Sequence, residues 1–326
     1  MRCNDRSGGD SRTVPARAPA RAQRSARPVR APILAILVAG FLGNQPWARA
    51  EEVRIDTKDG ERFAIVRAVP RKPAPTVLVL HGAGGSPERM LARSGFAEAA
   101  AKYDFAVVFP QGIDRRWNDG REFRRSGVDD VGFLKRLASE LASRGIAYPA
   151  RLYIAGISNG GMMTFRMLCE ASDLFAGAGT IIASMPEGVG ESCRLKTPVP
   201  VVMFNGTADP LIPYAGGAVG FRGQRGKVWA AERTAAFLAQ SNGCERTSKL
   251  PLPGDGSVRD ALKVVRLDWS ACKLGSSVAL YRIEGGGHQM FGRGEAFSTL
   301  LGPSTSQISA PDTIMAAFAS LEQRPQ

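Results

Sequence analysis

The chain repeats one pattern: a short continuous apolar run, a turn, then a stretch with apolar residues at helical spacing. The runs lie at residues 76–80 (TVLVL), 105–109 (FAVVF), 151–155 (RLYIA), 199–205 (VPVVMFN) and 278–284 (VALYRIE). A strand that is apolar without alternation is buried on both faces. Such strands, alternating with helices, predict an α/β fold with a mostly parallel central sheet and helices on both faces. In sheets of this kind ligands bind beyond the carboxyl ends of the strands. The residues that follow each run are therefore where chemistry is sought.

The remaining elements follow the same reading. Residues 52–56 and 62–69 open as strands. Helical text runs over 87–102, 128–143, 162–169, 227–240 and 311–321, with Val131, Leu134, Leu137 and Leu141 one helical face apart. Residues 178–183 and 261–267 read as further strands, and 110–127 as a long polar loop. No internal repeat interrupts the order. A hydrophobic content of 44% excludes a disordered chain. A mean hydropathy of −0.12, with no apolar run near about twenty residues, excludes a multi-span membrane protein.

The formal charge of +13 invites a nucleic-acid partner, but its distribution argues against one. The first fifty residues hold nine Arg and two Asp, about half of the excess. They run from an Arg/Pro/Ala-rich stretch into an apolar segment at 31–43 and close on Ala48-Arg49-Ala50. A positive flank, a short apolar stretch and a small-x-small site describe a secretory signal peptide. No adjacent Arg pair and no Cys at the cleavage point are found there, so neither a twin-arginine route nor a lipid anchor is expected. The expectation is a secreted or periplasmic protein. Residues 1–50 would be removed, 51–326 would form a single domain, and no membrane association would remain after cleavage.

Export places the chain where disulfides persist. Beyond Cys3, four cysteines remain: Cys169, Cys193, Cys244 and Cys272. Two bridges are expected, in any of three pairings; the most local is Cys169–Cys193 with Cys244–Cys272. Their spacing is not that of zinc ligands, and the chain holds two histidines, His81 and His288, so no metal site is expected.

Gly156-Ile157-Ser158-Asn159-Gly160 follows the run RLYIA and precedes a helix. This G-x-S-x-G turn places a serine hydroxyl on a tight strand-to-helix corner, where side chains at 156 and 160 would collide with their neighbours. A serine needs a base, and histidine has the suitable pKa. His288 closes Glu284-Gly285-Gly286-Gly287-His288, after the run VALYRIE and after the serine, as the order Ser…Asp/Glu…His requires. The third member is expected at Asp209, in the turn after VVMFN; Asp255, Asp260, Asp268 and Glu284 are rivals. Asp209 would hold the His288 tautomer and stabilise its imidazolium.

His81-Gly82-Ala83-Gly84-Gly85 follows TVLVL. In this fold class that loop supplies one oxyanion donor and the residue after the nucleophile the other, which assigns the backbone N–H groups of Ala83 and Asn159. His81 precedes the serine and is expected to brace the loop. No phosphate-binding glycine motif occurs there, so no nucleotide is expected. Asp129 and Asp130 read as helix-capping residues. Arginines 115, 116, 121, 124 and 125 read as a solvated loop able to steer an anion.

Taken together, Val79-Leu80-His81-Gly82, Pro110-Gln111-Gly112, Trp117-Asn118, Val128-Asp129-Asp130-Val131-Gly132-Phe133, Gly156 to Met163, Gly206-Thr207-Ala208-Asp209 with Pro213-Tyr214, Trp229, Cys244, and Gly285-Gly286-Gly287-His288 span nearly the whole chain beyond residue 50 in order. They resemble the poly(3-hydroxybutyrate) depolymerase/feruloyl esterase family of secreted α/β-hydrolases, in its single-domain LpqC-type branch. The resemblance implies a Ser158–Asp209–His288 triad, no cofactor, and cysteines paired as bridges. Family members often carry Cys where Ala83 stands, and Gly-His-x-Trp-Pro-Gly where this chain reads Gly287-His288-Gln289-Met290-Phe291-Gly292. Trp117, Met290 and Phe291 are the expected substrate contacts. The expected activity is hydrolysis of hydroxyalkanoate oligomers or related small or oligomeric esters. Feruloyl or acetyl esters of plant polysaccharide are the alternative; a peptidase or a non-catalytic binding protein is less favoured.

Overall fold

The computed structural model describes residues 50–69, 72–121, 127–253, 262–292 and 298–323. The signal peptide expected within 1–50 lies outside them but for residue 50. The chain opens with the hairpin strands β1 (Glu51–Thr57) and β2 (Gly60–Arg67), then β3 (Ala74–Leu80), α1 (Pro87–Arg93), α2 (Phe96–Lys102) and β4 (Ala106–Pro110). It continues through α3 (Asp130–Ser143), β5 (Ala147–Ile157), α4 (Asn159–Ala171), β6 (Gly177–Ile181), α5 (Glu187–Ser192) and β7 (Val201–Gly206). A two-residue ribbon, β8 (Gly217–Ala218) with β9 (Lys227–Val228), precedes α6 (Ala231–Ser241). Strands β10 (Arg246–Pro251), β11 (Lys263–Ser270) and β12 (Val278–Glu284) and helix α7 (Ala310–Glu322) follow.

Among the described residues ten strands form one sheet in the order β1-β2-β4-β3-β5-β6-β7-β12-β11-β10. The six central strands from β4 to β12 are parallel, and two antiparallel strands flank them on each edge. This is the architecture of an α/β-hydrolase. Strand β3 is buried throughout because alternate side chains feed two cores. Leu78 and Leu80 join Ile154 beneath Leu134, Leu137, Met163 and Phe165 of α3 and α4. Val77 and Val79 join Tyr153 and Ala155 beneath Phe96 of α2 and Ile314 and Phe318 of α7. That two-sided burial is why these strands read as continuous apolar runs.

Two expected helices are corrected. Residues 87–102 form α1 and α2 instead of one helix. Gly95 takes φ 80°, and the Ser94 hydroxyl donates to the Met90 carbonyl while accepting from the Phe96 N–H at 3.3 Å. The helix expected at 227–240 begins only at Ala231. Lys227 and Val228 pair with β8, and the Trp229 N–H donates to the Met185 carbonyl, so tertiary bonds take the place of the first helical turn. Strand β10, exposed along its whole length, has no apolar signature and went unread.

Cys169 is bonded to Cys193, joining α4 to the end of α5, and Cys244 to Cys272, joining the end of α6 to the end of β11. The Asp129 carboxylate caps α3 by accepting from the Gly132 N–H at 2.8 Å, a bond that lowers its pKa. Asp130 is buried, pairs with buried Arg62 at 2.6 Å, and accepts from the Asn118 N–H. Together they fix the loop that crosses the carboxyl edge of the sheet. Among the described residues no helix is long and apolar enough to cross a membrane, and no group of three or more His, Cys, Asp or Glu could hold a metal ion.

Candidate active site

Strands β3, β5, β7 and β12 belong to the parallel core, with β6 between β5 and β7, and end at the same edge of the sheet, so the loops after them meet. Ser158 sits between β5 and α4 with φ 54° and ψ −117°, a strained conformation for a residue with a side chain. The glycines around it are required by close approach. A Cβ at Gly156 would lie 2.2 Å from the Gly160 carbonyl oxygen, and one at Gly160 2.4 Å from the Leu80 carbonyl oxygen. The corner therefore packs directly against the end of β3.

The Ser158 Oγ lies 3.0 Å from Nε2 of His288, and Nδ1 of that imidazole lies 2.7 Å from Oδ2 of Asp209. An ionised carboxylate only accepts, so Nδ1 carries the proton and Nε2 presents its lone pair to the serine. Asp209 is itself held: its Oδ1 accepts from the N–H groups of Leu211 and Ile212, both at 2.8 Å. The loops after β7 and β12 are knitted together. Ala208 N–H donates to the Gly286 carbonyl and Gly285 N–H to the Thr207 hydroxyl, each at 2.8 Å. A Cβ at Gly287 would fall 2.0 Å from the Leu301 oxygen, which accepts the His288 N–H at 2.6 Å. The glycine run thus lets the histidine loop lie flat against its neighbours. Of the rivals to Asp209, Asp268 pairs with Arg266 and Glu284 with Arg282; Asp255 and Asp260 lie outside the described residues.

In the loop after β3, the N–H groups of Gly84 and Gly85 donate to the carbonyls of Arg115 and Gly82. That of Ala83 has no protein acceptor among the described residues, and Ala83 lines the cavity beside Ser158. Asn159 opens α4, where an N–H has no intrahelical acceptor. The Arg115 side chain clamps this loop by donating to the carbonyls of Gly84 and Gly85.

His81 is fully buried beneath the loop. Its Nε2 accepts the Gly112 N–H at 3.0 Å, so Nδ1 carries the proton and donates to the Gly82 carbonyl at 2.8 Å. Burial, which penalises the charged ring, pushes its pKa down to about 4. At neutral pH it is an uncharged brace.

Ser158, His288, Ala83 and Met290 line a cavity of about 580 Å³ together with Gly82, Met90, Ile182, Leu211 and Leu301. Two expected substrate contacts lie elsewhere. Trp117 is buried outside that lining: its Nε1 donates to the His81 carbonyl at 2.9 Å, and its N–H donates to Oδ1 of Asn159 at 2.8 Å. Phe291 is fully buried in the core against α7. An aromatic beside a motif reads alike whether it faces substrate or core, and packing decided both positions. The cavity's Arg89, Arg93 and Arg225 went unread, because nothing local marks a surface arginine as facing a cleft.

Residues 111–185 match the profile of the prolyl oligopeptidase family. The chain is 29% identical over 265 residues to "Putative esterase NocK" of Nocardia uniformis subsp. tsuyamanensis, covering 76% of each protein. It is 29% identical over 224 residues to feruloyl esterase B of Piromyces equi, covering 67% of this chain and 40% of that protein. Among solved structures it is similar to an acetyl xylan esterase from Aspergillus awamori. The TM-score is 0.49 and the identity 13%, over 73% of this chain and 94% of the other.

Proposed function

We propose that the chain is a serine carboxylic-ester hydrolase that works through an acyl-enzyme, with residues 51–326 as its catalytic domain. The observation that carries the reading is the hydrogen-bonded series Ser158–His288–Asp209 opening onto one cavity. His288 Nε2 takes the Ser158 proton as Oγ attacks the ester carbonyl, and Asp209 stabilises the imidazolium that forms. The tetrahedral oxyanion is received by the N–H groups of Ala83 and Asn159; losing such a donor costs about 3 kcal/mol in the barrier. His288 then returns the proton to the departing alcohol. Water, deprotonated by the same nitrogen, attacks the acyl-serine; the acyl–Oγ bond breaks, Oγ takes the proton back from His288, and the acid leaves.

The substrates we place first are soluble hydroxyalkanoate oligomers. The support is the family resemblance carried by the motifs and a cavity of about 580 Å³, a size suited to a small or oligomeric ester. Hydroxycinnamoyl or acetyl esters of plant polysaccharide are a second reading, favoured by the similarity to the Piromyces feruloyl esterase. Two disulfides support a site of action in an oxidising compartment outside the cytoplasm.

The test compares the parent with Ser158→Ala on p-nitrophenyl butyrate, then on hydroxybutyrate oligomers, methyl ferulate, acetylated xylan and prolyl peptides. The parent is expected to turn over short esters and oligomers, and the variant to lose at least about a thousandfold in kcat. Equal activity of the two proteins removes the serine mechanism. Turnover of peptides alone replaces the esterase reading with a peptidase one.

A further inference from the structure

The cavity that holds Ser158 and His288 is also lined by three arginines, Arg89, Arg93 and Arg225. They come from two separate stretches of chain, α1 and the loop before β9. Elsewhere the arginines commonly have carboxylate partners: Arg54 with Glu61, Arg62 with Asp130, Arg144 with Glu140, Arg282 with Glu284. None of the three pairs with a carboxylate among the described residues, and no Asp or Glu appears among the described residues lining the cavity. Arg89 and Arg93 stand four apart on one helix, where like charges repel. Unneutralised cations around one cleft raise the local concentration of an anion and hold it.

The Arg225 segment is also fixed relative to the serine corner. Asn159 Nδ2 donates to Oδ2 of buried Asp119 at 2.6 Å, and Asp119 in turn holds Arg121, whose Nη2 lies 2.7 Å from the same carboxylate oxygen. Arg121 Nη1 then donates to the Arg225 carbonyl at 2.8 Å. A buried carboxylate thus ties the backbone that bears Arg225 to the residue beside the nucleophile. The backbone position of Arg225 relative to the serine corner is therefore set by the fold.

We propose that Arg89, Arg93 and Arg225 form a carboxylate subsite, so that this site prefers esters carrying a free carboxylate remote from the bond that is cleaved. The inference rests on the esterase reading and narrows its substrates to esters whose acyl part carries a free carboxylate, such as a half-ester of a dicarboxylic acid. A carboxylate bridging two guanidinium groups fixes the acyl chain lengthwise in the cavity, with the ester at Ser158.

Two measurements test it. In the first, kcat/KM is compared for mono-p-nitrophenyl adipate and neutral p-nitrophenyl hexanoate. The expected acid-to-neutral ratio is about tenfold or more at low ionic strength, shrinking toward unity in high salt, where exposed charges are screened. Arg225→Gln, and Arg89→Gln with Arg93→Gln, are each expected to lower the ratio, whereas Arg144→Gln, outside the cavity, leaves it unchanged. In the second, Ser158→Ala is titrated calorimetrically with monomethyl adipate and with dimethyl adipate; the acid is expected to bind about tenfold more tightly, and Arg225→Gln to remove the difference. Hydrolysis of both chromogenic esters at equal efficiency, or a ratio indifferent to the substitutions, overturns the carboxylate subsite and leaves the esterase standing. Absence of hydrolysis overturns the esterase, and the binding comparison then still decides the subsite: equal affinities for the two adipates overturn it.

Discussion

Acid should weaken this fold through His81, and the size of the effect follows from its surroundings. The ring is fully buried beneath the oxyanion-side loop, with Nε2 accepting from Gly112 and Nδ1 donating to Gly82. Burial pushes its pKa down to about 4 from the ordinary 6.5. The unfolded chain therefore takes up a proton that the folded one refuses. The contribution is full above about pH 6.5 and is lost progressively as pH falls toward about 4, where the loss reaches about 3 kcal/mol. Between about pH 7 and pH 5 the loss from this one residue comes to about 2 kcal/mol. Urea unfolding of the parent and of His81→Gln at those two values isolates it. The carboxylates titrate in both proteins, and the glutamine does not titrate, so the parent should lose about 2 kcal/mol more than the variant. If both proteins lost the same stability, His81 would not be the neutral, buried brace described above.

Asp209→Asn should leave the fold intact and lower kcat by about ten-thousandfold, because the amide no longer enforces the tautomer that offers Nε2 to Ser158; steady-state kinetics on a short p-nitrophenyl ester checks this. Replacing Cys169 and Cys193 together by alanine should cost about 3 kcal/mol in denaturant unfolding, the entropy of a loop of 24 residues' separation. Trp117→Phe should lower stability by about 1–2 kcal/mol through loss of the bond to the His81 carbonyl, with KM unchanged; a raised KM without destabilisation would return Trp117 to the substrate. Gly160→Ala should yield no folded protein by circular dichroism, since the new Cβ would lie 2.4 Å from backbone oxygen of β3.

Much of the frame could be read in advance because burial on two faces leaves an unmistakable mark. Runs such as TVLVL have no polar side to lose, and the residues after them had to lie at one sheet edge. Ser158, Asp209 and His288 could be named because each follows such a run in small-residue text, and two histidines left little choice of base. What stayed hidden depends on contacts between distant segments. The break at Gly95 was overridden in the reading by the helical spacing around it. Strand β10 is exposed throughout, without an apolar run, and is defined only by its partner β11. Trp117 reads as a substrate contact in the sequence because only the folded chain brings Asn159 and His81 to its two N–H groups. The three cavity arginines are set apart by facing the Ser158 cavity, which is a property of the assembled surface.

The position of β12 has a consequence for when the chain can first act. This strand follows β7 by some seventy residues yet lies against it, with the β10–β11 hairpin outside. His288 comes 130 residues after the serine it serves. Closing loops of that length waits on the rest of the sheet, and non-local pairings form late. A nascent chain that has already built the Ser158 corner still lacks its base. Chemical competence arrives only when the last parallel strand slots home, so this protein does not hydrolyse anything before it has finished folding.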